Sequence, residues 1–363
     1  MATKVATPSR RTGGTVALFA TALPGVGSLL AKEITARQVG VVDAVGFDGR
    51  NDVVVFTARL DARVALDQLR LCEDIYVRLA HTRRRPGDRP GWVADRLCRD
   101  TSLHATTAVR AALGQSLRRR PTARAVVRLL AEVGFRRTDL RQAMTSTLAR
   151  VRPRWRHADP ADVELWVLEY QPGRLISGLR ITNAATRQHS GRVTERAGAL
   201  RPTIAAAMVR LAEAPGGTLL DPCCGAGTIL TEARALGWET VGFDRDPTAA
   251  EVASTNAGHA VVAVADARCL PVARHRVAAY VSNLPFGKQF SVGADTGTWL
   301  RAVLTEAARV TRPDGRIVLL HPNIPRAVVP PELELLHRHP VRLLGTSATI
   351  WTYRRTVTEV ARG

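Results

Sequence analysis

Residues 218–228 read T-L-L-D-P-C-C-G-A-G-T. A short apolar run ends in an acid, and two thiols and two glycines then lead into Thr228 and an amphipathic stretch. The pattern predicts a β-strand that hands a glycine-rich turn to the start of a helix. Glycine at such a turn lets the backbone come close to a ligand. What the loop lacks narrows the ligand. A dinucleotide fingerprint needs a third glycine where Leu230 stands, and a phosphate loop needs a Gly-Lys-Ser/Thr that is absent. Asp221 would repel a pyrophosphate. A ligand with an ammonium group and no phosphate fits, and S-adenosylmethionine is one.

The surroundings of that stretch alternate. Pro202 opens a helix with Ile204, Met208, Leu211 and Ala212 on one face. Strands are expected at Thr218–Pro222, Thr240–Asp244, Ala260–Ala265, Val277–Ser282 and Arg316–His321. Helices are expected at Thr228–Leu236, Pro247–Ala257 and Thr298–Val310, with two closing strands in Leu333–Arg355. Apolar strands alternating with helices predict an α/β fold, a Rossmann-like doubly wound sheet that binds its ligand at the carboxyl ends of the strands. Asp244 ends the second strand, 23 residues after Asp221, where an acid can take ribose hydroxyls. Asp266 in Ala265-Asp266-Ala267 ends the third, where a carboxylate can accept from an adenine amine. Each acid alone reads equally well as a cap or turn residue. Together they make a cofactor rim of Asp221, Cys223, Gly225, Ala226, Gly227, Thr228, Asp244, Asp266 and Ala267. Cys223 and Cys224 read as small residues lining the loop.

The fourth strand runs into V-S-N-L-P-F-G-K-Q, residues 281–289. At the topological switch point, Asn283 can accept one N–H of an exocyclic amine. Pro285 restricts Leu284 to an extended backbone, which aims the Leu284 carbonyl as a second acceptor. Phe286 offers a face on which a base can stack. The bland reading is a strand-ending turn with a packed phenylalanine, and the preceding cofactor loop weighs against it. Asn283, Leu284, Pro285 and Phe286 are the candidate catalytic residues.

The N-terminal half has a different character. The chain has 363 residues and a net charge of +20, and residues 1–190 hold +15 of it. His81 to Arg156 holds 19 Arg and five acids, a net +14. Such clustering suggests a polyanion-binding module fused to the alternating half. Arg136, Arg137, Arg152, Arg154 and Arg156 are the candidate phosphate contacts. Trp92 and Trp155, interleaved with the arginines, read individually as core residues rather than stacking platforms. Ahead of this segment, strand Val16–Ala22, helix Leu29–Arg37, strands Val41–Phe47 and Val53–Ala58 and helix Ala62–Arg70 predict a small α+β unit. In the basic segment that follows, strands Ala125–Leu130 and Glu164–Tyr170 and helix Asp139–Ala149 are expected, with Gly178–Thr182 a further short strand. The uncharged run Thr12–Ala31 mimics a secretory leader, but Pro24-Gly25-Val26-Gly27 breaks it at a turn.

These motifs carry a resemblance. D-P-C-C-G-A-G-T, G-F-D, A-D-A and N-L-P-F-G-K-Q are similar to the catalytic domain of THUMP-containing tRNA guanine-N2 methyltransferases. A-L-R-P-T-I-A-A-A-M-V-R-L-A resembles the helix before that family's cofactor loop, and A-T-A-L-P-G-V-G-S-L-L-A-K-E-I its ferredoxin-like opening. The resemblance implies a ferredoxin-like domain over 1–80, a THUMP-like RNA-binding domain over 81–182, a linker over 183–200 and a Rossmann-like methyltransferase domain over 201–363. It implies S-adenosylmethionine as cofactor and tRNA as partner, with methylation of a guanosine N2 amine in or near the acceptor stem. Arg187 and Arg192 in the linker and Lys288 after the catalytic motif would add RNA contacts. The THUMP pattern is blurred between Leu103 and Arg124, and the linker lacks an aromatic expected there. Two other readings stand beside this one: an adenine-N6 methyltransferase acting on rRNA or DNA, and a non-catalytic RNA-binding protein with a relict domain. Five cysteines without metal spacing read as reduced thiols in the cytoplasm. No metal and no membrane segment is expected, and a monomer is.

Overall fold

The computed structural model describes residues 14–59, 66, 68–112, 119–182, 199–213, 216–258, 260–286, 296–343 and 346–356. The chain forms two compact units. One comprises residues up to Thr21, Leu30–Leu69 and Asp74–Thr182; the other comprises Ala22–Leu29, Arg70–Glu73 and everything from Asn183 onward.

The N-terminal unit is built on β1 (Thr15–Ala22), α1 (Gly27–Ala36), β2 (Gly40–Phe47), β3 (Asp52–Arg59), β4 (Asp74–Arg83), α2 (Pro90–Leu97), α3 (Asp100–Ala112), β5 (Thr122–Arg128), α4 (Arg137–Val151), β6 (Arg156–His157), β7 (Val163–Gln171) and β8 (Arg174–Arg180). Its eight strands form one sheet in the order β2-β3-β1-β4-β8-β7-β5-β6. The expected boundary at residue 80 therefore falls inside β4, which pairs with β1 on one side and β8 on the other. The segments expected as two domains share one sheet, with β1 paired along the first half of β4 and β8 along Tyr76–Arg83.

β7 shows why this sheet is stable. Val163, Leu165 and Val167 pack with Val93, Leu97, Leu140 and Met144 from α2 and α4. Trp166, Leu168 and Tyr170 face the opposite way, into a cluster with Phe19, Val53, Val55 and Tyr76. The period-two alternation thus serves two cores at once. The turn at Pro24–Gly27 is present: Gly25 has φ +92° and the Val26 amide donates to the Leu23 carbonyl at 2.9 Å. Four elements were not legible, β4, α2, α3 and β6. In α3 the face that turns inward includes Thr106 and Arg110, so no apolar stripe marks it. The expected helix Ala62–Arg70 falls largely outside the described residues.

The C-terminal unit contains α5 (Pro202–Leu211), β9 (Thr218–Asp221), α6 (Thr228–Ala235), β10 (Glu239–Asp244), α7 (Pro247–Ala257), β11 (Val261–Val264), β12 (Val277–Asn283), α8 (Thr296–Val310), β13 (Thr311–His321), β14 (Leu333–Leu343) and β15 (Thr346–Arg355). The strand order is β11-β10-β9-β12-β13-β15-β14, with β11 to β13 parallel and the last two antiparallel. The chain leaves β9 towards β10 and β11, then returns to β9's other side at β12. That reversal opens a crevice at the carboxyl ends of β9 and β12. β12 is apolar and buried almost throughout, as a central parallel strand covered on both faces must be.

Candidate active site at the carboxyl rim

The glycine loop is tied down from three sides. The Cys224 amide donates to the Phe243 carbonyl at 2.9 Å, and the Gly225 amide donates to Asp244 Oδ2 at 2.9 Å. Asn256, buried on α7, donates its side-chain amide to the Ala226 carbonyl at 2.9 Å. Gly227 adopts φ +75° at the entrance to α6, and Gly225 adopts φ +54° with nothing within 4 Å of where a Cβ would stand. The first glycine makes the turn, and the second leaves room over the loop. Thr228 follows with a buried hydroxyl that has no hydrogen-bond partner.

Asp221 and Asp244 end neighbouring strands, whereas Asp266 lies two residues past the end of β11, in a turn bridged to Cys269; the three differ in state. Asp221 is buried; its Oδ1 accepts from the Ser282 hydroxyl at 2.8 Å and from the Cys223 amide at 3.2 Å. Burial pushes its carboxyl up to about 7 against the pull of those two donors. Asp244 is half-buried and also accepts from the Asp246 amide at 3.0 Å. Asp266 lies at the rim and is held by Arg268, Nη2 to Oδ2 2.6 Å, which keeps its carboxyl below the ordinary range. Ala267 packs in the core rather than opening to the rim, and burial raises the thiols of Cys223 and Cys224 far above a reactive range.

The catalytic candidates meet at the crevice. Asn283 ends β12, and its buried side-chain oxygen has no hydrogen-bond partner among the described residues. The Leu284 side chain is buried, its amide donates to the Leu320 carbonyl at 3.2 Å, and no described residue donates to its own carbonyl. Pro285 and Phe286 follow, half-buried. Lys288 lies outside the described residues.

Two neighbours were not foreseen. His321 ends β13, one step beyond Leu320, which stands in register with Asn283. Its ring meets Phe286 edge-on with centroids 5.8 Å apart, its Nδ1 is 2.6 Å from the Asn323 carbonyl, and burial lowers its pKa. Ser282 is the other. His321 closes its strand and Ser282 stands one position from the end of its own, but the contacts that matter come from strand pairing, which no local pattern in the sequence records.

The residues present fit S-adenosylmethionine. A buried acid with one oxygen free of described donors suits a cationic amine, the left-handed glycines leave space, and half-buried Asp244 can accept from hydroxyls. Among the described residues no His, Cys, Asp or Glu cluster is placed to hold a metal ion, and no helix is long and apolar enough to cross a membrane.

The arginines expected to meet phosphate separate into two groups. Arg136, Arg137, Arg154 and Arg156 are exposed. Arg152 instead pairs with Asp100 and bonds the Val151 carbonyl, so it fastens the end of α4 to α3. Arg187, Arg192 and most of the expected linker lie outside the described residues. Trp155 packs against the core as expected, whereas Trp92 is 56% exposed, with the Arg89 guanidinium 5.2 Å from its ring centroid. α2 turns Val93, Ala94 and Leu97 inward, which leaves position 92 outside. A groove of about 1100 Å³ lies along β5 and α4, its walls including Arg50, Arg137, Arg141, Gln142 and His157. β6 covers only Thr122 and Ala123, so the outer edge of β5 from Arg124 to Arg128 has no strand partner among the described residues.

Residues 190–326 match the UPF0020 family, described as an RMKL-like methyltransferase domain. The chain is 36% identical over 131 residues to the U6 snRNA (guanine-N(2))-methyltransferase THUMPD2 of Mus musculus, and 40% identical over 134 residues to that of Bos taurus. Each match covers 33% of this chain and spans about a quarter of the relative, 24% and 25%. Among solved structures, TrmN from Thermus thermophilus aligns over 94% of this chain and 100% of its own, with TM-score 0.74 and 22% identity. A possible methylase from Clostridium difficile 630 aligns over 96% and 100%, with TM-score 0.70 and 12% identity. The two likenesses establish the fold across both units. Residues 190–326 are thus similar to a methyltransferase domain of the UPF0020, RMKL-like kind, in a chain that resembles the THUMPD2 guanine-N2 methyltransferases over part of its sequence and TrmN in fold.

Proposed function

We propose that the chain methylates the exocyclic N2 amine of a guanosine in tRNA, in or near the acceptor stem. One observation carries this reading: the Asn283 side-chain oxygen, buried at the switch point of the sheet with no partner among the described residues. An unsatisfied buried acceptor costs about 1–3 kcal/mol, and an incoming N–H donor would remove that cost. The Leu284 carbonyl can take the second N–H of the same amine. Two acceptors on one NH₂ favour a pyramidal nitrogen whose lone pair is free to attack. Phe286, held edge-on by His321, can carry the base on its face; such stacking contributes about 1–3 kcal/mol. Bound S-adenosylmethionine supplies the electrophilic methyl group. The chain's part is positioning and electrostatics, with acceptors facing the positive charge that develops on nitrogen, and the proton can leave to water afterwards.

The groove along β5 supports RNA as the substrate. Exposed Arg50, Arg137 and Arg141 line it beside the open strand edge, and guanidinium groups fork onto phosphate oxygens. Guanine N2 as the target is supported by the name of the THUMPD2 relatives, which is given for U6 snRNA; the sequence resemblance points to tRNA.

Nucleoside mass spectrometry decides among these. Unmodified tRNA and a U6 snRNA transcript are each incubated with the protein and S-adenosylmethionine. N2-methylguanosine in the tRNA is expected. The same product only in the snRNA overturns the tRNA assignment, and N6-methyladenosine overturns the guanine one. No methylated nucleoside, with salt-sensitive RNA binding, makes this a binding protein.

A further inference from the structure

The buried Ser282 hydroxyl has no role in the chemistry described so far, and it lies between the two halves of the site. It sits on β12 beside Asn283, is fully buried, and donates to Asp221 Oδ1 across the gap between β12 and β9 at 2.8 Å. The Cys223 amide donates to the same oxygen at 3.2 Å. We propose that Ser282 is a positioning residue for cofactor capture, holding the Asp221 carboxyl at the root of the glycine loop for the cationic methionine end of S-adenosylmethionine. This rests on the methyltransferase assignment and not on the identity of the RNA.

The argument is one of solvation. A carboxylate this deeply buried needs donors or a cation to stay ionised. The groups facing it are Cys223 and Cys224 from the loop, Asp244 from β10, and Tyr280 and Ser282 from β12. None is a cation, and Asp244 repels it. Among the described residues Ser282 is therefore the one side chain that favours the charged form, joined by a single backbone amide. A ligand ammonium group would complete the set. Cofactor binding then draws Asp221 into its ionised form and releases a proton wherever the free protein still holds one.

Isothermal titration of S-adenosylmethionine into the full chain, from about pH 5.5 to 8.5 in buffers of different ionisation enthalpy, tests this. Wild type is expected to release up to one proton per cofactor, with affinity rising about tenfold for each pH unit below the midpoint and levelling above it. Ser282→Ala should move that midpoint up by about one pH unit, a tenfold weaker affinity in the midpoint region, and Ser282→Thr should restore it. Asp221→Asn should bind weakly with no pH dependence, which serves as the reference if Ser282→Ala lowers the melting temperature. A Ser282→Ala midpoint equal to wild type overturns the positioning role, and pH-independent proton-free binding by wild type overturns the linkage. Normal titrations with no RNA methylated would leave this inference standing and remove the proposed substrate.

Discussion

Gly227 and Ala253 are in contact across the cofactor loop: a Cβ on Gly227 would lie 3.0 Å from both the Cα and the carbonyl oxygen of Ala253. Gly227 also holds φ +75°, which L side chains adopt at a cost. Gly227→Ala is expected to destabilise the protein by about 1–3 kcal/mol. Gly225→Ala has a similar backbone cost but open space above it. It should fold and melt within a few degrees of wild type while binding S-adenosylmethionine at least about tenfold more weakly, because the new methyl occupies ligand space. Melting curves and cofactor titrations on the two variants check this. Equal losses of stability in both would refute the division of labour between the glycines.

Asn283 should show the opposite trade. Its buried, unpartnered oxygen costs stability in the free protein, so Asn283→Ala is expected to unfold no earlier than wild type in urea, and up to about 1 kcal/mol later. Methyl transfer should fall by about two to three orders of magnitude, the usual loss when one electrostatic contact to a transition state is removed. Cofactor affinity should be unchanged. Transfer at the wild-type rate in this variant would show that Asn283 does not hold the amine.

Arg268 competes for the carboxylate expected to meet adenine. It engages both oxygens of Asp266 from a solvent-exposed position, where such pairs contribute little to folding. Arg268→Ala is therefore expected to melt like wild type and to bind S-adenosylmethionine more tightly, by up to about fivefold. Weaker binding in that variant would mean that Arg268 orients Asp266 for the ligand instead of competing with it.

What the sequence revealed and what it hid follow from the same physics. β9, β10 and β12 were legible because apolar residues at their centres (Leu219 and Leu220, Val241 and Phe243, Val277 to Val281) run into an abrupt polar end (Asp221, Asp244, Asn283). Alternation with helices predicted a doubly wound sheet. The ion pair of Arg152 was not legible, because charge alone does not reveal a partner 52 residues away at Asp100. Ser282 and His321 act through neighbours brought together by strand pairing, and nothing local in the sequence records that pairing. α3 escaped because its buried positions include Thr106 and Arg110, which carry no hydrophobic period.

Asp221 should also govern stability between about pH 4 and 7. Its carboxyl is raised from 3.8 to about 7 in the folded protein, chiefly by burial, so the native state keeps a proton that the unfolded chain releases. The contribution is complete below the unfolded value and is lost as pH rises through the folded one, a loss of up to about 4 kcal/mol. His321, lowered by burial, acts in the opposite sense as pH falls below its ordinary value, so the comparison must be between variants. Urea midpoints of the cofactor-free protein at about pH 5 and 8 should show Asp221→Asn gaining on wild type as pH rises. Parallel shifts in both proteins would mean that Asp221 is ionised throughout.

The exposed and the paired arginines should separate cleanly. Arg137 and Arg141 line the groove of the N-terminal unit and have no acidic side chain paired with them among the described residues, whereas Arg152 is fastened to Asp100. If the first two meet phosphates, Arg137→Ala/Arg141→Ala lowers the slope of log K against log salt by about 1.4–1.8, since each neutralised phosphate contributes about 0.7–0.9. The double variant should melt like wild type, because surface substitutions of this kind stay within about 0.5 kcal/mol. Arg152→Ala should do the reverse, leaving the salt slope alone and lowering the melting temperature by removing a link between α4 and α3. Filter binding of tRNA at a series of salt concentrations, beside melting curves, reads both quantities. An unchanged slope in the double variant would move the RNA path away from this groove, towards exposed Arg154 and Arg156 on the β6 side.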